Sequence, residues 1–411
     1  MEAFGAFESL PLPSEKEEVW RYSPIDELRL EDFAPTGPSP REDGRGTVGL
    51  ATQLDPTSAV VTVRDGRPVA YDVSRLPDGV MVGPATREAV GQELVGAVQQ
   101  GGDALVRLND AFVPDVVLVD VAPGAIVSAP IVIMHVCSSA QATSATAPAS
   151  FPRTAVRVGR GAAVEVVEII AGDDGGGPSL VVPVTELFVE DAAILSYVTW
   201  QVLDEAAWHV ARLAGRVGRD ATLRIFTAGL GGAYDRSRTD VELAGQGGSS
   251  EQRSAYLGTG DQVHDIRTKQ DHLAPRTTSD LLCKGSVSDR ARSIYTGLIR
   301  VERGAVRADA MQTNHNLVLD ESAHADSVPN LDILENDVRC SHASTVGPLD
   351  EDQLYYVESR GVAPERAQEL IVRGFFDDIV DRVPVPSVAP FLRQEVRGRL
   401  ARVLASGESI P

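Results

Sequence analysis

A chain of 411 residues with 43% apolar content is long enough for two or three domains, or for one elongated core with appendages. Its formal net charge of −21 repels polyanions, so nucleic acid and anionic membrane surfaces are poor partners. The three cysteines, Cys137, Cys283 and Cys340, are odd in number, far apart and without a CxxC pair. That argues against a disulfide framework and against a self-contained zinc or cluster cage, and it fits a reducing cytoplasm.

In chain order, the start has no basic region followed by an apolar core, so it does not read as a secretory leader. Ser14 with Glu17 three residues on has the form of a capping box. It predicts a helix over 14–22, ended before Pro24 and docked by Trp20. Residues 36–58 are rich in Pro and Gly and predict a loop. Asp65-Gly66 between two β-rich runs predicts a hairpin within 60–73. Residues 86–112 carry a helical pattern broken at Gly101-Gly102. Together these predict a mostly helical N-terminal unit, 1–112, with a loop and a hairpin.

From 113 to 347, Val- and Ile-rich runs follow one another, each closed by Gly, Pro or Asp, and no comparable helical period interrupts them. The most apolar run, 116–136, contains Asp120, Pro123 and Pro130, which argues against a membrane span. So long a train of strands suggests a repetitive β architecture. No fixed-length repeat stands out, which leaves an irregular parallel β-helix over 113–347. Near its end Leu317 and Leu319 share a face, as do Leu331 and Ile333, and Val338, Cys340 and His342. Turns are predicted at Asp320-Glu321-Ser322, Val328-Pro329-Asn330 and Glu335-Asn336-Asp337. After Pro348 the period becomes helical, with acids at the first helix start, Gly361 at its end, Pro364 opening the next, and a last helix at 391–404. Residues 348–411 are therefore expected to form a helical domain.

Cys340 and His342 lie two apart on a strand, project to one side, and could share a metal or a sulfur species. Val338 is on that side too, so a core role competes. Cys283 sits in an alternating strand and reads as core, with Lys284 on the opposite face; Cys137 reads as inert. His264 and His272 lie on a polar strand that could face a partner or water. Asn314, His315 and Asn316 could form a polar stack along the coil. No GxSxG, HExxH or Walker A sequence occurs, so hydrolase chemistry and ATP binding by this chain are not expected.

The run Cys340-Ser341-His342-Ala343-Ser344-Thr345-Val346-Gly347, followed by Asp352-Gln353-Leu354-Tyr355-Tyr356 and Ser359-Arg360-Gly361, resembles the C-terminal signature of the SufB/SufD iron–sulfur cluster assembly family. Glu18-Val19-Trp20-Arg21-Tyr22 resembles the opening of its SufD branch. The resemblance implies a right-handed parallel β-helix core flanked by N-terminal α/β and C-terminal helical domains. It implies a non-catalytic subunit of the SUF machine that supports de novo cluster assembly and iron acquisition. Its partners would be a SufB-like subunit and a SufC-like ATPase, or a second copy when alone. ATP would act only through the SufC-like partner. A nascent iron–sulfur cluster would form at the interface with the SufB-like subunit, with nothing held stably. His342, and with it Cys340, are the interface and tentative metal-ligand candidates that the resemblance carries over. On the helical domain, Tyr355, Leu370, Phe375 and Phe376 offer apolar faces for docking SufC. SufB-like chains are usually longer and carry a His-Glu pair where this chain has His342-Ala343, so the SufD branch is preferred and a SufB-like scaffold is the alternative. A reading from another class, a β-helix enzyme acting on polysaccharide, requires convergent carboxylates that no spacing singles out.

Overall fold

A computed structural model describes residues 2–37, 54–85, 102–140, 146–173 and 175–405. Most of the loop expected over 36–58, and the 86–101 part of the helix expected over 86–112, lie outside these described residues. The remainder of that helix forms as Ala104–Phe112, started by the Asp103 carboxylate accepting the Val106 N–H at 3.2 Å.

From Val116 to Gly347 the chain winds as a parallel β-solenoid of about seven turns, each adding one strand to each of two sheets. The first sheet takes Val116–Val121, Arg153–Val158, Val184–Val189, Ala207–Val217, Tyr234–Leu243, Val263–His272, Arg292–Val301 and His324–Ile333. The second takes Ile131–Cys137, Ala163–Gly172, Ile194–Val202, Thr222–Gly229, Ser249–Gly258, Thr278–Val287, Asp309–Val318 and Arg339–Gly347. Paired residues stand 26 apart at Trp208 and Tyr234, 29 apart at Val263 and Arg292, and 32 apart at Arg292 and His324. The turn length drifts, which is why no fixed repeat shows in the sequence. One corner is built alike in successive turns. Ala192, Asp220, Arg276 and Arg307 all take left-handed backbone there, with φ from 52° to 62°. Each N–H at that position bonds a carbonyl of the next turn, as Ala192 does to Arg219 at 2.8 Å and Asp220 to Gln246 at 2.9 Å. The hydrogen-bond ladder therefore continues around the bend, which offsets the cost of the conformation.

The hairpin forms as read. Ala59–Arg64 and Arg67–Asp72 pair around Asp65 (φ 49°) and Gly66 (φ 80°), the two left-handed positions of a type I′ turn. It belongs to the β body, because Ala59–Arg64 extends the second sheet beside Ile131–Cys137. Val80–Ala85 closes the first sheet antiparallel to Val116–Val121.

The helix expected over 14–22 is not formed. Ser14 N–H does reach the Glu17 carboxylate at 3.3 Å, but the chain then makes only 3-10 turns, the first at Glu18–Trp20. The cause is tertiary. Arg236 and Arg267 donate to the carbonyls of Val19 (2.7 Å) and Arg21 (2.6 Å), which holds this segment against the coil in short turns. Trp20 is buried with the Arg236 guanidinium 3.6 Å from its ring centre.

Both outer faces of the coil are covered. Trp20, Ile25, Leu105 and Leu108 pack on Leu180, Val182 and Val210 of the first-sheet side. The C-terminal helices Pro364–Val380 and Ala389–Ala405 lie along the second sheet, with Val372, Phe376, Ile379, Leu392 and Val396 in one cluster with Val132, Val167, Val198, Phe226 and Leu282. Strands buried on both sides read as unbroken apolar runs, as 131–134 does. Among the described residues no helix is long and apolar enough to cross a membrane.

Arg153 ties the N-terminal helix to the first sheet. Its Nη1 meets Asp110 at 2.5 Å and its Nη2 meets Glu186 at 2.8 Å, with all three side chains buried. Removing the cation takes the Arg153 ion pair from buried Glu186 and from Asp110, which keeps Arg107 at 2.9 Å. Arg153→Met is expected to lower stability by about 3–5 kcal/mol, read as a drop in the urea midpoint. A wild-type midpoint would show that the cluster is not needed.

Candidate functional site

Among the described residues, no strand pairs beyond the last turn of the solenoid. His324–Ile333 and Arg339–Gly347 are the terminal strands of their two sheets, and the chain leaves Gly347 through Pro348 into the helix Glu351–Glu358. That helix starts with the Asp350 carboxylate accepting the Gln353 N–H at 2.9 Å. The turn expected at Val328-Pro329-Asn330 does not occur, since the strand runs straight through Pro329. Proline has no ladder N–H and is tolerated on an edge strand, which this is.

Strand period two and register identify the inward face at this open end. In Asp309–Val318 the fully buried residues are Ala310, Gln312, Asn314 and Asn316, and these pair with Cys340, His342, Ser344 and Val346. Cys340 and His342 therefore share one side, as their spacing requires, and that side is the rim of the coil interior. His342 is exposed and Cys340 half-buried against Ala308, Ala310 and Val338. Burial pushes the Cys340 thiol up, and the nearby Asp309 adds to it, so the thiol is held protonated rather than activated. Beside them Ser344 donates to Ser327 at 2.7 Å, and Ser327 donates to Asn314 at 2.8 Å, linking the two sheets across the mouth. Among the described residues no three His, Cys, Asp or Glu side chains are grouped to hold a metal ion.

The other candidates separate. Cys283 is sealed inside with Tyr256, Tyr295 and Leu281, and burial pushes its thiol up to about 12. Cys137 is likewise buried and pushed up. Lys284 points to the opposite face, as expected. Its Nζ sits 2.6 Å from Asp378 and 3.2 Å from the Phe375 carbonyl, clamping the helix Pro364–Val380 to the second sheet. His264 and His272 face neither partner nor water; both are fully buried in the coil. Asn314 and Asn316 do form an interior stack, joined at 2.7 Å, with Asn316 also bonded to Tyr256. His315 is on the outer face instead, near Lys284 and Asp378. Of the docking candidates, Tyr355 is 75% and Leu370 39% exposed, Phe375 lies against Lys284, and Phe376 is 1% exposed within the core.

Two interior clusters gave no sequence signal, because their members are far apart in the chain. Glu168 accepts from His135 (3.0 Å), Thr154 (2.6 Å), Thr185 (3.1 Å) and Tyr197 (2.6 Å). Asp235 lies between His209 Nδ1 (2.7 Å) and His264 Nδ1 (3.1 Å). Burial alone would raise the Asp235 carboxyl, but these two bonds outweigh it and leave it at about 2.

Burial holds His272 down at about 4, between the hydroxyls of Thr277 and Ser279. The unfolded imidazole titrates higher, so on acidification the unfolded chain takes up this proton first. Stability is expected to fall between about pH 6.5 and 4, by up to about 3 kcal/mol from this group. His272→Gln should flatten that window in urea melts. An unchanged pH profile would place the titration elsewhere.

The family profile described as "SUF system FeS cluster assembly, SufBD core domain" matches residues 140–375. An iron-sulfur cluster assembly SufBD family protein of Mycobacterium tuberculosis is 30% identical, over 97% of this chain and 92% of its own length. The iron-sulfur cluster assembly protein SufD of Escherichia coli is 26% identical, over 96% of this chain and 90% of its own. Protein ABCI7, chloroplastic, of Arabidopsis thaliana is 27% identical, over 95% and 83%.

Proposed function

The chain belongs to the SufBD family of the SUF system and has a role in iron–sulfur cluster assembly, and on that premise we propose that it is the SufD-like, non-catalytic subunit. In this reading its bare coil end receives a SufB-like partner, and its helical domain holds a SufC-like ATPase. The observation that carries the reading is the uncapped last turn. Two parallel edge strands end there side by side, each with unpaired backbone groups, and a partner coil ending in the same way can continue both ladders. A second copy of this chain could use the same end when the SufB-like partner is missing.

The nascent cluster is the substrate of such a joint. His342 and Cys340 lie at the rim where the two interiors would meet. With its thiol held protonated, Cys340 is the poorer donor, so His342 is the residue assigned to the cluster and the remaining ligands come from the partner. Glu168 and Asp235, the carboxylates of the two interior clusters, are sealed inside the coil, which leaves the polysaccharide reading without support.

Energy input is assigned to the ATPase. Exposed Tyr355, Tyr356 and Leu370 offer it a docking face, while Phe376 is committed to the core. The Lys284 clamp lies two strands from Arg339–Gly347, a short mechanical route from the helices to the mouth. A cytoplasmic setting is assigned on the reduced cysteines, although the Arabidopsis relative carries a chloroplastic name.

His342→Ala is expected to lower client-enzyme maturation in cells about tenfold while the complex still copurifies, with Cys340→Ser milder; tenfold corresponds to about 1.4 kcal/mol. Wild-type maturation in His342→Ala would sink the reading. For the ATPase, deleting 348–411 is a poor test, since it strips the cover from Leu282, Phe226 and Val198. Tyr355→Ala with Leu370→Ala should instead cut capture of the SufC-like ATPase at least tenfold, or about 1.4 kcal/mol, with the far-UV spectrum unchanged. Undiminished capture would put the grip elsewhere.

A further inference from the structure

We propose that Gln312 is a positioning residue for His342, its amide forming the polar floor of the coil mouth and fixing the orientation and tautomer of the imidazole. This deepens the reading above, since it rests on His342 being the working group at the rim.

Gln312 is fully buried and inward-facing, yet neither its Nε2 nor its Oε1 has a hydrogen-bond partner. An unsatisfied buried amide forfeits its hydration without compensation, so its persistence asks for an explanation. The neighbouring inward positions are all accounted for. Asn314 is bonded by Asn316 and Ser327, and Ser327 by Ser344, while Ala310 packs with Cys340. Among the described residues of this turn, the Ser293 hydroxyl is also open, but Gln312 alone has a register partner on the last strand with a ring to hold, His342. Paired residues of adjacent strands stand about 4.8 Å apart, so two inward side chains in register reach one another, directly or through one water.

The opposite wall makes room for this amide. A Cβ at Gly297 would lie 2.5 Å from Cδ of Gln312, so the amide rests on bare backbone where any larger residue would displace it. Pro329, paired with Gly297 on the terminal strand, brings no side-chain donor or acceptor that could compete for it. The amide thus has a shaped seat and no interior partner, and it lies one strand below the imidazole. A glutamine offers both an acceptor and a donor, so it can hold one ring N–H by its carbonyl and leave the other nitrogen lone pair free for an incoming iron or sulfur species.

The test is Gln312→Met, of similar length but without hydrogen-bonding groups, in the full chain. Ring 15N chemical shifts of His342 report its tautomer balance, and client-enzyme maturation in cells reports function. The expected result is a changed tautomer balance, at least a threefold fall in maturation, and an unchanged far-UV spectrum. Gln312→Glu, which keeps the acceptor oxygens, should retain the wild-type tautomer. An unchanged balance in Gln312→Met overturns the proposal, and so does a changed balance with wild-type maturation. If instead His342→Ala matures clients normally while Gln312→Met still shifts the tautomer, the function assigned to His342 fails and the contact itself stands.

Discussion

A parallel coil can satisfy its backbone only by pairing each strand with the strands one turn before and after it. Everything internal is solved by that rule, and nothing at the two ends is. The two ends of this molecule are finished differently. At the N-terminal end the hairpin partner Arg67–Asp72 and the strand Val80–Ala85 run antiparallel and stop the winding. At the C-terminal end two parallel strands stop together with no terminating strand among the described residues, and the chain turns away at Pro348. The end that is left unfinished is also the end that carries Cys340, His342, Ser344 and Gln312. An assembly protein needs a surface that is stable alone and still able to join, and a bare rung on a long coil supplies both.

The appendages matter because they are not at that end. The N-terminal segment is clamped flat against the first sheet by Arg236 and Arg267, whose charges are balanced by Asp265 at 2.5 Å from each. The C-terminal helices run along the second sheet, held by a large apolar face and the Lys284–Asp378 pair. Each covers a flank and leaves the mouth clear.

The interior is less uniform than the exterior suggests. The early turns are filled by Val, Ile and Leu, but Glu168 and then the His209–Asp235–His264 set interrupt them, and the last turns are lined by amides and hydroxyls. Buried carboxylates of this kind are weak sources of stability and strict about their neighbours. They fix register in a coil whose valine ladders could otherwise slip by one pair, because a slipped Glu168 or Asp235 would lose every one of its donors.

The strand train, the Asp65-Gly66 hairpin, the opposed faces of Cys283 and Lys284, and the shared side of Cys340 and His342 were all legible in the sequence, since each rests on local φ preferences or on period two. Those signals say that a strand has two faces, but not which face is inside when both are covered. His264 and His272, expected on a strand that could face a partner or water, therefore lie inside, and His315, expected to stack with Asn314 and Asn316, lies on the other face. Pro329 looked like a turn because its tolerance depends on lying at a sheet edge, which is a property of the sheet. The opening segment is held in short turns against the coil by Arg236 and Arg267, more than two hundred residues away, which its own residues do not reveal. Phe376 looked as available as Tyr355 until packing buried one and exposed the other. The sequence by itself determined which segments are strands and which side chains travel together. Only the tertiary structure decided which of those sides meets the core, the partner or the solvent, because that is set by pairings between residues a full turn of the coil apart, and no local rule reaches that far.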